Sequence, residues 1–219
     1  MTENKYKIGI LAFGSLIDNP GEEIKEIEIS RIECKTPFKV EFARISSSRD
    51  NAPTLIPISD GSKGRETNAQ ILVIDNETSL EDAKSILWRR ECHKKDKTQK
   101  FNEPKNPTSR HVLIGELENF CNIDKVIYTK FLQQDEYQDM LPENLADFAI
   151  ESIMSKAGRE EKDGIRYLLS AKKYGIVTEY SEEYENYILS KTGTKTLSEA
   201  IEKLDRKRKM YPDSNNASS

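Results

Sequence analysis

Three places in this chain carry side chains able to do chemistry. Glu91 falls at the end of a helical pattern, Leu80-Glu81-Asp82-Ala83-Lys84-Ser85-Ile86-Leu87-Trp88-Arg89-Arg90-Glu91. A carboxylate at a helix C-terminus opposes the helix dipole. If such a group were buried, its pKa would rise toward the range useful for general acid/base work. Taken alone, Glu91 reads more simply as a solvated residue paired with Arg89 or Lys94. Gly14-Ser15 follows an apolar run and can expose backbone N–H groups to a ligand, since Gly14 has no side chain to obstruct approach. A plain strand-ending turn is the competing reading. Arg49, and less so Arg44, flanks Ser46-Ser47-Ser48 and could grip a carboxylate bidentately; surface charge is the alternative for both.

Other chemistry is set aside. Cys92 and His93 are adjacent, so on a helix they point about 100° apart and cannot face one another. Two histidines and scattered cysteines give no zinc spacing, and no metal is expected. No GxxxxGK[ST] or GxGxxG pattern stands at Gly14. The lysines at 94, 95, 97, 100 and 105 could touch nucleic acid, but only Phe101 offers a ring for stacking. A net charge of −4 also argues against general nucleic-acid binding.

These groups need elements to position them. Ile8 to Phe13 is an apolar run that reads as a buried, central strand. Asp18-Asn19-Pro20-Gly21 is a turn signal, and Glu22 to Ile32 reads as a loop or short helix leading into a strand. Phe38, Val40 and Phe42 alternate with Lys39, Glu41 and Ala43, a half-buried strand. Pro53 to Ile58 is a short strand demoted by its prolines, and Asp60 to Thr67 is a turn. Ala69 to Ile74 is a second apolar strand, after which Thr78 or Ser79 caps the helix that ends at Glu91. His93 to Ser109 is basic and nearly devoid of apolar residues, so a long mobile loop is expected. Strand character resumes at Val112–Ile114 and Lys125–Leu132.

From Pro142 the pattern is helical. Helices are expected to end at Gly158 and Gly175, a third to be capped by Ser181, and a last to start at Thr196 or Ser198. The expected domains are 1–140, a helical extension 141–211 packed on it, and a disordered tail 212–219. Strands first and helices second make an α+β layout. With 36% hydrophobic and 33% charged residues among 219, the chain has an adequate core under a heavily charged surface. Three cysteines without a CxxC pair fit a reducing compartment. The opening MTENKYK lacks a signal-peptide core, and no run of about 18 apolar residues exists, so a cytoplasmic protein with no membrane partner is expected.

Taken in order, Phe13-Gly14-Ser15-Leu16, then VEFARISSSRDNAPTLIPISDG (Val40 to Gly61), then a strand and a helix ending in Arg90-Glu91 resemble the gamma-glutamylcyclotransferase-like family, including its glutathione-degrading branch. That family opens with a Tyr-Gly-Ser or Tyr-Gly-Thr loop after its first strand. Its acidic catalytic residue lies near the end of a later helix, often within an Arg-Glu pair. The resemblance runs from Ile8 to Cys92. It implies a small mixed β-barrel with flanking helices. It also implies substrate contacts from Phe13, Gly14, Ser15, Leu16 and Arg49, with Glu91 as the catalytic carboxylate. The implied reaction cyclises a γ-glutamyl compound to 5-oxoproline, releases an amine or amino acid, and needs no cofactor. This chain departs from the family in carrying Phe13 for tyrosine, in its basic loop and in the helical region Asp163 to Ile188. The alternative is a binding module on the same fold, holding a small ligand without turnover and meeting a partner protein through the C-terminal helices.

Overall fold

No polar side chain interrupts Ile8 to Ala12, so both faces of that strand must be covered by other elements. In the structure, a computed structural model describing residues 6–58, 63–132 and 140–210, this requirement is met at the centre of a five-stranded sheet. Strand β1 (Tyr6–Ala12) leads into the single-turn helix α1 (Ser15–Asp18) and then α2 (Glu22–Ile27), which feeds β2 (Glu28–Lys35). After β3 (Val40–Ser46), a 3₁₀ turn (Ser47–Arg49) and β4 (Ala52–Pro57), strand β5 (Asn68–Ile74) leads to helix α3 (Leu80–Glu91). Strands β6 (Leu113–Phe120) and β7 (Ile123–Lys130) form a hairpin. Five helices follow: α4 (Pro142–Met154), α5 (Lys156–Arg159), α6 (Gly164–Lys173), α7 (Ser181–Thr192) and α8 (Leu197–Met210).

The fold is mixed α+β. The sheet order is β2-β5-β1-β7-β6, and β3 pairs with β4 in a separate two-stranded sheet. Strand β1 runs antiparallel to β5 (Leu11 opposite Ile71) and parallel to β7 (Ile10 opposite Ile127). The sheet is therefore mixed, as expected, but it is not the expected β-barrel. Among the described residues β2 and β6 are the edges of that sheet, and β3 and β4 pair only with one another.

The chain divides into two units, the first made of 1–40 and 56–134, the second of 41–55 and 135–219. The expected boundary after residue 140 lies near the second crossing, whereas the β3–β4 segment groups with the helices.

In the first unit, helix α3 packs on β6 and β7 and against α2, burying Ala83 and Leu87. Its start is set as expected by Ser79, whose Oγ accepts from the Asp82 N–H at 3.1 Å. The opposite face of the sheet gathers Leu11, Ile71, Val73, Ile123 and Val126, with Phe13, Cys34, Phe38 and Tyr128 packed against them. Gly9 leaves room for this packing: a Cβ there would stand 2.4 Å from Ile71 Cγ2 and 3.1 Å from Ile123 Cδ1. Gly9→Ala is expected to overpack the site and lower unfolding free energy by about 1–3 kcal/mol, measured by urea denaturation. An unchanged midpoint would show that Ile71 yields without cost.

A mobile loop is expected from His93 onward; the segment lacks regular structure, and side chains of α3 bond to its middle, at residues 99–101. Arg89 donates to the Gln99 carbonyl at 2.6 Å, the Phe101 N–H donates to Ser85 Oγ at 3.2 Å, and the Phe101 ring tilts against Trp88. Lys97 pairs with Glu26 and Lys100 with Asp82. Two of the lysines considered for nucleic acid are thus engaged within the fold.

In the second unit, α4 is central and touches α5, α6, α7 and α8. Leu145, Ala146, Ala149 and Ile153 on α4 are fully buried. The helix expected to run to Gly158 breaks at Ser155, whose Oγ accepts from the Ala157 N–H and caps α5. Asp163 caps α6, accepting from the N–H groups of Ile165 and Arg166. Tyr180 rather than Ser181 occupies the N-cap position of α7, with no side-chain capping bond; the Ser181 hydroxyl instead accepts from the Thr178 N–H at 2.9 Å. Thr196 begins α8, its hydroxyl accepting from the Glu199 N–H at 3.2 Å. No helix among the described residues is long and apolar enough to cross a membrane. The turn expected from Asp60 falls partly, and the tail from Pro212 wholly, outside the described residues.

Candidate functional site

The exit of β1 is shaped by one glycine. Gly14 adopts φ 90° and ψ −140°, a region that L-residues avoid, and so turns the chain sharply into α1. Helix α1 is a single turn, closed by the Asn19 N–H donating to the Ser15 carbonyl at 2.9 Å. Leu16 and Ile17 are buried beneath it while Ser15 keeps partial exposure. Phe13 sets its ring edge-on to Phe38 at 5.7 Å between centroids, and Phe38 in turn meets Tyr128 at 4.7 Å. A ring without a hydroxyl suits the edge-on contact with Phe38.

The end of α3 supplies the polar groups. Its two arginines take different partners. Arg89 is buried and makes a forked bond to Glu23 on α2, at 3.0 and 2.6 Å. Arg90 reaches the β1 exit. It donates to the Asn19 carbonyl from Nε at 3.2 Å and from Nη2 at 2.6 Å. Nη2 also lies 3.4 Å from Ser15 Oγ, and Nη1 donates to Glu91 Oε1 at 2.5 Å. Arg31 on β2 adds a bond from Nη1 to the Ile17 carbonyl at 2.8 Å. The two guanidinium groups thus meet carbonyls at the C-terminal end of α1, where positive charge is favoured. Gly21, at φ 87°, makes room for Arg90, because a Cβ there would stand 3.1 Å from Arg90 Cγ.

Glu91 and Ser15, 76 positions apart in sequence, are therefore linked through one guanidinium. The expected partners for Glu91 were Arg89 or Lys94. Arg89 is committed to Glu23, and the Lys94 ammonium lies 5.9 Å from the Trp88 ring centre. Glu91 is also not an isolated buried acid, since its ion partner is its own neighbour and about a fifth of its side chain is exposed.

Arg49 belongs to the second unit, whereas Phe13, Gly14, Ser15, Leu16 and Glu91 belong to the first. Its guanidinium lies 5.0 Å from the Tyr167 ring centre and donates to the Lys162 carbonyl at 3.2 Å. Cys92 stands at the C-cap of α3, where burial pushes its thiol above the ordinary range, away from the thiolate needed for attack. Among the described residues no three histidine, cysteine or acidic side chains gather as metal ligands.

Sequence reasoning missed Glu41. The alternation along β3 assigns it to the solvent side, yet it is 2% exposed. Its Oε1 accepts from the Thr178 hydroxyl at 2.5 Å and from the Phe42 N–H at 2.8 Å, and its Oε2 accepts from the Tyr180 N–H at 3.2 Å. Nothing local in the sequence marks it, because Thr178 and Tyr180 lie more than 130 positions away. Burial raises its pKa above the ordinary 4.5, with the hydrogen bonds opposing. The folded state therefore binds this proton more tightly than the unfolded chain. Glu41 favours folding most below pH 4.5, and this contribution is lost as pH rises toward the raised folded value. Glu41→Gln is expected to flatten that part of the stability–pH curve, read as urea midpoints from pH 4 upward. Parallel curves for the two proteins would contradict it.

The chain gives no significant match to family models, to curated proteins or to solved structures.

Proposed function

We propose that the chain is a gamma-glutamylcyclotransferase-like enzyme that converts a γ-glutamyl compound to 5-oxoproline and a free amine or amino acid. The observation carrying this reading is the Arg90 guanidinium, which joins the Glu91 carboxylate to Ser15 at the exit of β1. It supports the pairing of loop and acid that the sequence resemblance implies.

The chemistry asks for little beyond positioning and one proton carrier. Glu91 takes a proton from the substrate α-ammonium. The freed nitrogen attacks the γ-carbonyl carbon, a C–N bond forms, and the ring closes. The former amide C–N bond then breaks as Glu91 returns its proton to the departing nitrogen, and the second proton of the ring nitrogen passes to the same departing group, which leaves as an ammonium. Ring closure is unimolecular once the substrate is folded against the loop, so orientation supplies much of the rate. N–H groups at Gly14 to Leu16 hold the carbonyl oxygen as it gains charge. Ser15 donates or accepts a hydrogen bond and is not a nucleophile, since its nearest basic side chain is a guanidinium, which does not deprotonate. Arg49 receives no role here, because Tyr167 and the Lys162 carbonyl account for its position.

Incubation with γ-glutamyl dipeptides, glutathione and γ-glutamylamines tests the reading. At least one is expected to yield 5-oxoproline and its amine in equal amounts. The close Arg90–Glu91 pair also suits a fixed charge that anchors a ligand without turnover. A γ-glutamyl ligand retained in native mass spectrometry, with no 5-oxoproline formed, would establish that second reading instead.

A further inference from the structure

The five-stranded sheet ends in two edge strands, β2 and β6. An edge offers backbone donors and acceptors to another chain, and charged side chains usually guard it. On β2 the exposed residues are Ile29, Arg31, Glu33 and Lys35. The register runs without a break from Ser30 opposite Val73 to Lys35 opposite Asn68. One step further, the Thr36 N–H donates to the Thr67 carbonyl at 2.9 Å. Thr36, Cys34 and Ile32 therefore spend their backbone groups on β5, and those of Arg31, Glu33 and Lys35 point away from it. Among the described residues no second strand pairs with β2 on that side.

We propose that β2 is a self-association edge, at which two copies of the chain pair their β2 strands antiparallel about a two-fold axis. The two five-stranded sheets then continue into one another. A two-fold along the sheet normal keeps the same face up on both copies, so residues directly opposite are both odd or both even. With the axis at Ile32, Arg31 of each copy stands opposite Glu33 of the other, in a hydrogen-bonded pair. On the other face Ile32 meets Ile32, and Ser30 meets Cys34.

The charges select this register. Around the axis Arg31 and Glu33 of the two copies alternate in sign, so both cross-strand pairs attract. The Arg31 guanidinium is already held by Glu28 at 2.6 Å and by Gln70 at 3.2 Å, so little side-chain freedom is lost on pairing. Sliding the strands by two residues one way sets Arg31 against Arg31. Sliding them the other way sets Glu33 against Glu33 and Arg31 against Lys35. The β6 edge has no such match, because centring it on Glu116, Leu117 or Glu118 sets glutamate against glutamate.

Sedimentation equilibrium of the full chain, over a dilution series, provides the test. The wild type is expected to approach twice the chain mass as concentration rises, and to dissociate more readily in high salt. Glu33→Arg sets two arginine pairs at the axis and is expected to weaken the dimer at least about tenfold; Arg31→Glu is expected to do the same with glutamates. An equal mixture of these two variants is expected to dimerise again, since every pair is then of opposite charge. Ser30→Cys reads the register without touching a charge. In a chain that also carries Cys92→Ser and Cys121→Ser, mild oxidation is expected to join position 30 of one copy to Cys34 of the other, seen by peptide mapping. A wild type that stays monomeric, a dimer untouched by Glu33→Arg, or failure of that cross-link would each overturn the proposal. So would open-ended oligomers, which would mean β2 joined to β6 head to tail.

Discussion

Glu91→Gln is expected to lower the turnover of a γ-glutamyl substrate by about 10²–10⁴-fold, the range that a lost general acid/base removes. The substitution keeps the side chain's shape and an oxygen able to accept from Arg90, but removes the group that carries the proton. The fold should hold. Helix α3 is fixed by the Ser79 cap, by buried Ala83 and Leu87, and by the Arg89–Glu23 pair, none of which involves Glu91. An ion pair with about a fifth of each side chain exposed contributes about 0–1 kcal/mol, so urea unfolding should shift little. Turnover should fall with KM nearly unchanged, since the lost interaction belongs to the transition state. Arg90→Lys separates proton transfer from positioning. It keeps a charge near Glu91 but loses the planar fork that reaches Asn19 and Ser15 together. A rise in KM with a smaller fall in turnover is expected. If Glu91→Gln turns over like the wild type, Glu91 is not the proton carrier.

The largest stability effect is expected at Asp163. Its side chain is fully buried; Oδ1 accepts from the N–H groups of Ile165 and Arg166, and Oδ2 accepts from Arg166 Nη1 at 2.6 Å. Arg166 also bonds to Asp205 on α8, and Arg208 links Asp205 to the Ile153 carbonyl at the end of α4. Asp163→Ala removes the cap of α6 and one of the two carboxylates around a largely buried guanidinium. The expected loss is about 3–5 kcal/mol, the cost of breaking a buried pair from one side. Asp163→Asn retains the capping oxygen and should lose clearly less. Urea unfolding of both variants checks the order. Equal losses would mean that the charge, not the cap, carries the effect.

How much of this was legible follows from which forces are local. The central strand could be read because Ile8 to Ala12 offers no polar face. The start of α3 could be read because Ser79 and Asp82 bond within one turn. The β6–β7 hairpin was half hidden: Glu116, Glu118 and Asn119 dilute the apolar signal, and its turn uses Asn119, Cys121 and Asn122 at positive φ where a glycine would have announced it. The sequence pattern puts Glu41 on the solvent side of its strand and offers Arg89 as a partner for Glu91, because the partners they do take arrive from distant segments. The segment after His93 looked mobile since its own residues are polar. What holds it are side chains of α3 offered to its backbone, which its composition cannot reveal. At the candidate site, Gly14-Ser15 and Arg90-Glu91 stood out as motifs. The role of Arg90 as the link between them did not, because it depends on the Asn19 carbonyl and on the room left by Gly21.

A crystal structure of the protein soaked with 5-oxoproline bears most directly on the assignment of Glu91 and the β1 exit. The account predicts the lactam within hydrogen-bond reach of the Glu91 carboxylate and of N–H groups between Gly14 and Leu16. Lactam bound elsewhere, with Glu91 still closed onto Arg90 and facing only solvent, would contradict it.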